Sequence, residues 1–179
     1  MSIPEARIED TSAGRMARGS GWFVLGLAGA RGFATEGHGI FCNFESPDAD
    51  FEDFGLNVHV IAPGERAALY HAENVQEGFL VLAGECIAIV EEHERALRSW
   101  DYLHCPAGTH HALIGSGDGP CAILMVGARK PDATIDYPVS AAAARHGLST
   151  PVASDAAREA YGNAGWNRES VPKPMSWPG

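Results

Sequence analysis

The sequence predicts an all-β domain, a barrel or sandwich of short strands, and three observations carry that expectation. Apolar runs of four to seven residues recur at 22–27, 39–44, 56–62, 79–82, 86–90, 101–105, 110–114 and 121–126. Turn-forming groups separate them: Ser46-Pro47-Asp48, Pro63-Gly64, Ala83-Gly84-Glu85, Pro106-Ala107-Gly108 and the stretch Gly115 to Pro120. Within 56–60, Leu56, Val58 and Val60 alternate with Asn57 and His59, the period of a strand with one apolar and one polar face.

Taken in order, residues 1–20 are polar without a period and are expected to form a loose N-terminal arm. The barrel is expected over 21–130. Trp22-Phe23-Val24-Leu25 reads as a strand, although Arg15 and Arg18 ahead of it and Ala28-Gly29-Ala30 behind it imitate a secretory signal. The run starts late, follows Glu5, Glu9 and Asp10, and is interrupted by Gly26, so the strand reading is preferred. No run approaches the ~18 apolar residues of a membrane helix. Beyond Arg129 the pattern changes. Ser140, four alanines and Arg145-His146-Gly147 predict a short helix capped by Ser140 and ended by Gly147. Ser154 to Tyr161 predicts a second, with Ser154 as its cap. The extended remainder, with Trp166, Trp177 and three prolines, is expected to dock on the barrel or on a second subunit, so 131–179 forms a C-terminal helical and extended tail.

The formal charge is −10, from 13 basic and 23 acidic side chains. Such a surface repels phosphate backbones and anionic lipid, which argues against nucleic acid and membrane partners. The four cysteines, Cys42, Cys86, Cys105 and Cys121, form no Cys-x-x-Cys pair. A chain of this length builds a core without disulfides, so reduced thiols and a cytoplasmic location are expected, with Cys86 and Cys121 as core packing.

Two segments carry the chemistry. In Tyr70-His71-Ala72-Glu73-Asn74-Val75-Gln76-Glu77, His71 and Glu73 are two apart, so on a strand they share a face with roughly 6.5–7 Å of rise between them. Glu77 opens the apolar run that ends at Gly84. In Trp100 to His111, a strand enters Pro106-Ala107-Gly108 and a hairpin returns His111 toward the first segment. Two glutamates facing one interior repel each other and lose hydration, so without a counter-charge at least one should hold a proton; a bound dication removes the conflict.

These residues resemble the two motifs of the cupin family. His71, Glu77 and Gly84 match the first motif, Gly-x5-His-x-His-x3–4-Glu-x6-Gly. Pro106, Gly108 and His111 match the second, Gly-x5-Pro-x-Gly-x2-His-x3-Asn. The chain is similar in particular to small bacterial cupins with Tyr-His-x-Glu-x-x-Gln-Glu before Phe-Leu-Val-Leu and Trp-Asp before the second motif, a group defined by sequence rather than by a reaction. Four departures stand out: Glu73 at the second histidine, Trp100 at the second motif's glycine, Gly115 at its asparagine, and one extra residue between Gly64 and His71. The resemblance implies a cupin double-stranded β-helix, a jelly-roll barrel with short C-terminal helices and an extended tail, and a homodimer. It implies one divalent metal on His71, Glu73, Glu77 and His111. Two histidines with carboxylates suit Zn, Mn or Fe better than Ni.

Glu73 has two open roles, fourth ligand or catalytic base beside a three-ligand metal. The function implied is binding of, or action on, a small polar metabolite, with isomerase, lyase and dioxygenase chemistry all open. The alternatives are a non-catalytic metal or small-molecule sensor and a metal that serves stability alone. Among the other candidates, His110 should point away from His111. Of His104 and Cys105 only one can reach the cavity, as a supporting group. His59 can look into the barrel. Tyr70, Phe79 and Tyr102 are expected as core or cavity wall, and His38 and His93 as solvent-facing. The glycines of 115–119 lack the Lys-Ser/Thr pair of a phosphate loop.

Overall fold

Strands that alternate side chains between two faces can bury one face of each sheet against the other. A computed structural model describes residues 2–45, 48, 50–162 and 171–175. Its strands are β1 (Arg7–Thr11), β2 (Gly14–Arg18), β3 (Arg31–Thr35), β4 (Gly39–Cys42), β5 (Phe54–Ile61), β6 (Ala72–Glu73), β7 (Glu77–Ala83), β8 (Glu85–Val90), β9 (His93–Arg98), β10 (Tyr102–Cys105), β11 (His111–Ser116), β12 (Cys121–Ala128) and β13 (Ile135–Asp136). Helices α1 (Ala141–Ala144) and α2 (Ala157–Ala160) follow, then β14 (Val171–Pro174). The larger sheet runs β10-β7-β12-β5-β4-β3-β14, and β11-β8-β9 forms the second. Every pair within them is antiparallel. The predicted all-β jelly-roll barrel is the observed one.

The inward face of the barrel grades from apolar to polar along its axis. On β7 the inward residues run Glu77, Phe79, Val81, and on β5 Asn57, His59, Ile61. Antiparallel β12 runs the opposite way, Cys121, Ile123, Met125, with Ile61 opposite Cys121 and Asn57 opposite Met125. Ile61, Val81, Cys86, Ala88, Leu113, Cys121 and Ile123 close one end as a buried cluster. The polar ends of the same strands line a cavity at the other end. The alternation read at 56–60 therefore holds with a sharper meaning: its polar face looks inward.

The turns meet their requirements. Gly84 has φ +75°, and a Cβ there would lie 2.3 Å from the Pro120 carbonyl oxygen. Gly115 stands where the Ala62 backbone crosses, and a Cβ would meet the Ala62 oxygen at 2.2 Å. That close approach accounts for glycine in place of the motif's asparagine. Trp100, at the motif's glycine, keeps a left-handed backbone (φ 75°) and is 76% exposed.

The C-terminal region packs on the barrel. The Ser140 hydroxyl accepts the Ala143 N–H at 2.9 Å. Around Gly147 (φ 70°), Leu148 N–H donates to Ala143 O and Gly147 N–H to Ala144 O, a Schellman ending. Ala142, Ala143 and Leu148 then bury against Tyr70, Ile89, Ala112 and Ile114 on the outer face of β8 and β11. In the tail, β14 pairs with β3, and Met175 packs with Ala30, Ile40 and Cys42.

Several expectations are corrected. The arm is not loose: β1 and β2 form a hairpin that buries Ala6, Met16 and Ala17. Its charges, including the Arg18–Glu9 pair at 2.9 Å, crowd the chain and mask the short inward pattern. Trp22–Leu25 is no strand; Trp22 only bridges Glu5 and is 52% exposed. His93 faces solvent as expected, but it opens β9, an exposed strand without an apolar period that the sequence reading did not include. Helix α2 begins after Ala156, not Ser154, whose hydroxyl instead accepts the Ala156 N–H. Trp166, Trp177, Ser46 and Pro47 lie outside the described residues. All four cysteines are buried and free. Among the described residues no helix is long and apolar enough to cross a membrane.

Candidate metal centre

Two adjacent backbone segments bring the candidate ligands together. His71 and His111 exchange both backbone hydrogen bonds, His71 N–H to His111 O at 3.1 Å and His111 N–H to His71 O at 2.8 Å. This bridge sets the imidazoles side by side, their ring centres 4.8 Å apart. Glu77 enters from the first residue of β7, whose partner on β10 is Cys105. The Gly108 N–H donates to Glu73 O at 2.7 Å, which ties the Pro-Ala-Gly turn to the strand bearing Glu73. Among the described residues, one ligand atom from each of His71, Glu77 and His111 lies within 4.8 Å of the other two.

The imidazoles are oriented as ligands. His71 Nδ1 is 2.7 Å from the Leu69 carbonyl oxygen, and His111 Nδ1 is 3.0 Å from that of Thr109. A carbonyl can only accept, so each Nδ1 carries the proton and each Nε2 keeps its lone pair. Burial lowers the pKa of both rings, that of His111 to about 4 with help from neighbouring His71. Burial raises Glu77 to about 8, and the Glu73 charge pushes the same way; burial raises Glu73 itself. The 3.5 Å contact of His111 Nε2 with Glu77 is therefore not an ion pair at neutral pH without a cation: the ring is neutral and the carboxyl largely protonated. Two imidazole lone pairs beside a carboxyl that burial and the Glu73 charge keep from ionising fit a divalent cation, which would supply the counter-charge.

This cluster opens into a cavity of about 780 Å³, whose wall includes Asn57, His59, Glu73, Phe79, Met125, Arg129, Tyr137, Arg158 and Tyr161. Glu73 thus shares the cavity with the three-residue group but lies beside it. His59, for which the sequence left an inward orientation open, looks into the barrel, with Nε2 2.6 Å from His38 O. His38 is buried, not solvent-facing, and its Nε2 lies 3.1 Å from Arg66 Nε. Phe79 is cavity wall, 4.9 Å from the His111 ring. Tyr70 is core under α1, whereas Tyr102 is 63% exposed and covers Gly78 from outside. His110 turns outward to Asp136 at 2.9 Å. Cys105 is the inward member of its pair and His104 the exposed one.

Sequence reasoning missed Tyr137, Tyr161, Arg129 and Arg158. Tyr137 sits 5.7 Å from the His71 ring and meets Tyr161 edge-on. The Tyr161 hydroxyl accepts the Leu69 N–H at 2.9 Å. Tyr137, Arg158 and Tyr161 come from the tail and Arg129 from the residue just after β12, where no motif or period marks a cavity wall.

A double-stranded β-helix with two histidines and a glutamate converging inside its cavity is a barrel protein with a candidate metal centre. Residues 57–127 match the family model described as a cupin domain. Residues 57–127 are thus a cupin domain. No curated protein matches the chain. Among solved structures it is similar to a putative sugar phosphate isomerase from Acidithiobacillus ferrooxidans (24% identity, 48% of this chain and 56% of that one, TM-score 0.46). It is similar also to a sugar phosphate isomerase of the cupin superfamily from Silicibacter pomeroyi (28%, 48% and 55%, TM-score 0.45). A third is the polyketide cyclase RemF from Streptomyces resistomycificus (16%, 52% and 68%, TM-score 0.45). The match spans just over half the length of the first two.

Proposed function

We propose that the chain is a metal-dependent cupin that binds and acts on a small polar metabolite in the barrel, with one divalent ion (Zn, Mn or Fe) on His71, Glu77 and His111. The observation that carries this reading is the convergence of those three side chains, with both Nε2 lone pairs turned into a cavity of metabolite size. When bound, the ion would supply a Lewis acid to polarise a carbonyl or hydroxyl. His71 and His111 would hold it through Nε2, each ring oriented by the contact of its Nδ1 with the carbonyl of Leu69 or Thr109. Glu77 would give up its proton to serve as the anionic ligand. Glu73, in the same cavity and with its pKa raised by burial, is the base that takes and returns a substrate proton. Phe79 and Tyr137 exclude water from the two histidines. Pairing of two copies belongs to the same proposal and is supported by exposed Trp100 just before the edge strand β10 and exposed Tyr102 at its first residue.

Elemental analysis of protein purified without chelator, compared with Glu77→Ala and Glu73→Ala, tests the assignment. About one ion per chain is expected in the parent and in Glu73→Ala, and a loss of most of it in Glu77→Ala. Equal metal loss in both variants would make Glu73 a ligand; no metal in the parent would end the reading.

A further inference from the structure

The charges around the cavity do not cancel once a cation is placed on the three-residue cluster. The charged groups in its wall are Glu73, Glu77, Arg129 and Arg158. Arg129 is already neutralised: its guanidinium lies 2.7 Å from a Glu45 carboxylate oxygen and donates to Phe51 O at 2.6 Å. A dication offsets the two glutamates. That leaves Arg158, on α2 at the exposed rim, whose guanidinium has no hydrogen-bond or ion-pair partner among the described residues. Deeper in the wall, the side-chain oxygen of Asn57 is buried without a hydrogen-bond partner. A buried acceptor left unpaired is destabilising, so it calls for a donor from whatever fills the cavity.

Resting on the metal reading above, we propose that the substrate is a small hydroxylated anion, a carboxylate or phosphate monoester. Arg158 takes its anionic group at the rim, and Asn57 Oδ1 accepts a hydroxyl proton. The guanidinium fork pairs with either acid in the same bidentate manner, so the two share one recognition chemistry. No covalent step is involved; the assignment concerns which molecules bind.

The test is calorimetric titration of the full-length, Mn-loaded protein with D-gluconate, D-glucose 6-phosphate and uncharged D-glucose, repeated on Arg158→Gln, Arg158→Lys and Asn57→Leu. Bound metal is measured on each sample. At least one anion should bind tenfold or more tighter than glucose. Arg158→Gln should remove that advantage while keeping the metal, and Arg158→Lys should restore part of it. Asn57→Leu should weaken all hydroxylated probes alike. The relative affinities of gluconate and the phosphate ester identify the kind of acid. Binding of neither anion, equal binding of glucose, or an Arg158→Gln affinity within twofold of the parent overturns the inference. If the parent holds metal in those cases, the metal reading survives; if it holds none, that reading falls as well.

Discussion

Replacing Glu77 by Gln should change how the metal-free protein responds to pH, and the structure gives the size of the effect. Glu77 has a folded pKa of about 8 against 4.5 for the ordinary carboxyl. The native state therefore holds a proton that the unfolded state releases. A carboxyl raised in this way contributes most below pH 4.5, and its contribution is lost as pH climbs to 8. His59 and His111 act in the opposite sense. Burial lowers both to about 4, so their contribution is present above the unfolded value of 6.5 and lost as pH falls from there. Between pH 6.5 and 8 these two histidines are flat, and Glu77 alone should cost about 2 kcal/mol at 1.36 kcal/mol per unit. Glu73, also raised by burial, adds to the same slope. For a chain of this size that loss is a fall of roughly 4–8 °C in Tm. The assay is thermal unfolding in chelator at half-unit steps from pH 5 to 9, for the parent and Glu77→Gln. The parent should lose stability from pH 6.5 to 8, and Glu77→Gln should hold most of it. Added Zn or Mn should reverse the parent's slope, because metal competes with the proton, and leave the variant unmoved. Parallel pH curves for the two proteins would refute the reasoning.

Two further outcomes follow from local structure. Tyr161→Phe deletes the acceptor of the Leu69 N–H and should lower stability by about 1 kcal/mol, read as a denaturant midpoint shift at unchanged m. Trp100→Gly relieves a left-handed backbone worth about 1–2 kcal/mol, less about 0.5–1 for glycine's extra entropy. The net gain should be about 0–1.5 kcal/mol, and a loss of stability would mean that Trp100 makes contacts beyond this chain.

Much of the barrel was legible because a strand buried on one side writes its period into the chain, as at 56–60. His71, Glu77 and His111 were legible because fixed spacings about a tight turn leave a motif. The β1–β2 hairpin and β9 were not, because their outward faces are charged and their inward residues few. The roles open for Glu73 could not be separated by spacing, since a residue two away from His71 shares its face whether or not its oxygens close on the same point. Tyr137, Tyr161 and Arg158 reach the cavity through the path of the tail, which no local pattern encodes.

The cavity draws its walls from two stretches of chain with different freedoms. Of the three converging side chains, Glu77 and His111 stand on β7 and β11, whose further residues Val81 and Leu113 belong to the buried cluster, and His71 is bridged to His111, so they cannot drift without loosening the core. Tyr137, Arg158 and Tyr161 lie in a segment laid across the mouth, and Arg158 projects from a helix with no buried residue. Evolution can rewrite that segment, altering which molecules are admitted, while the chemistry beneath stays intact.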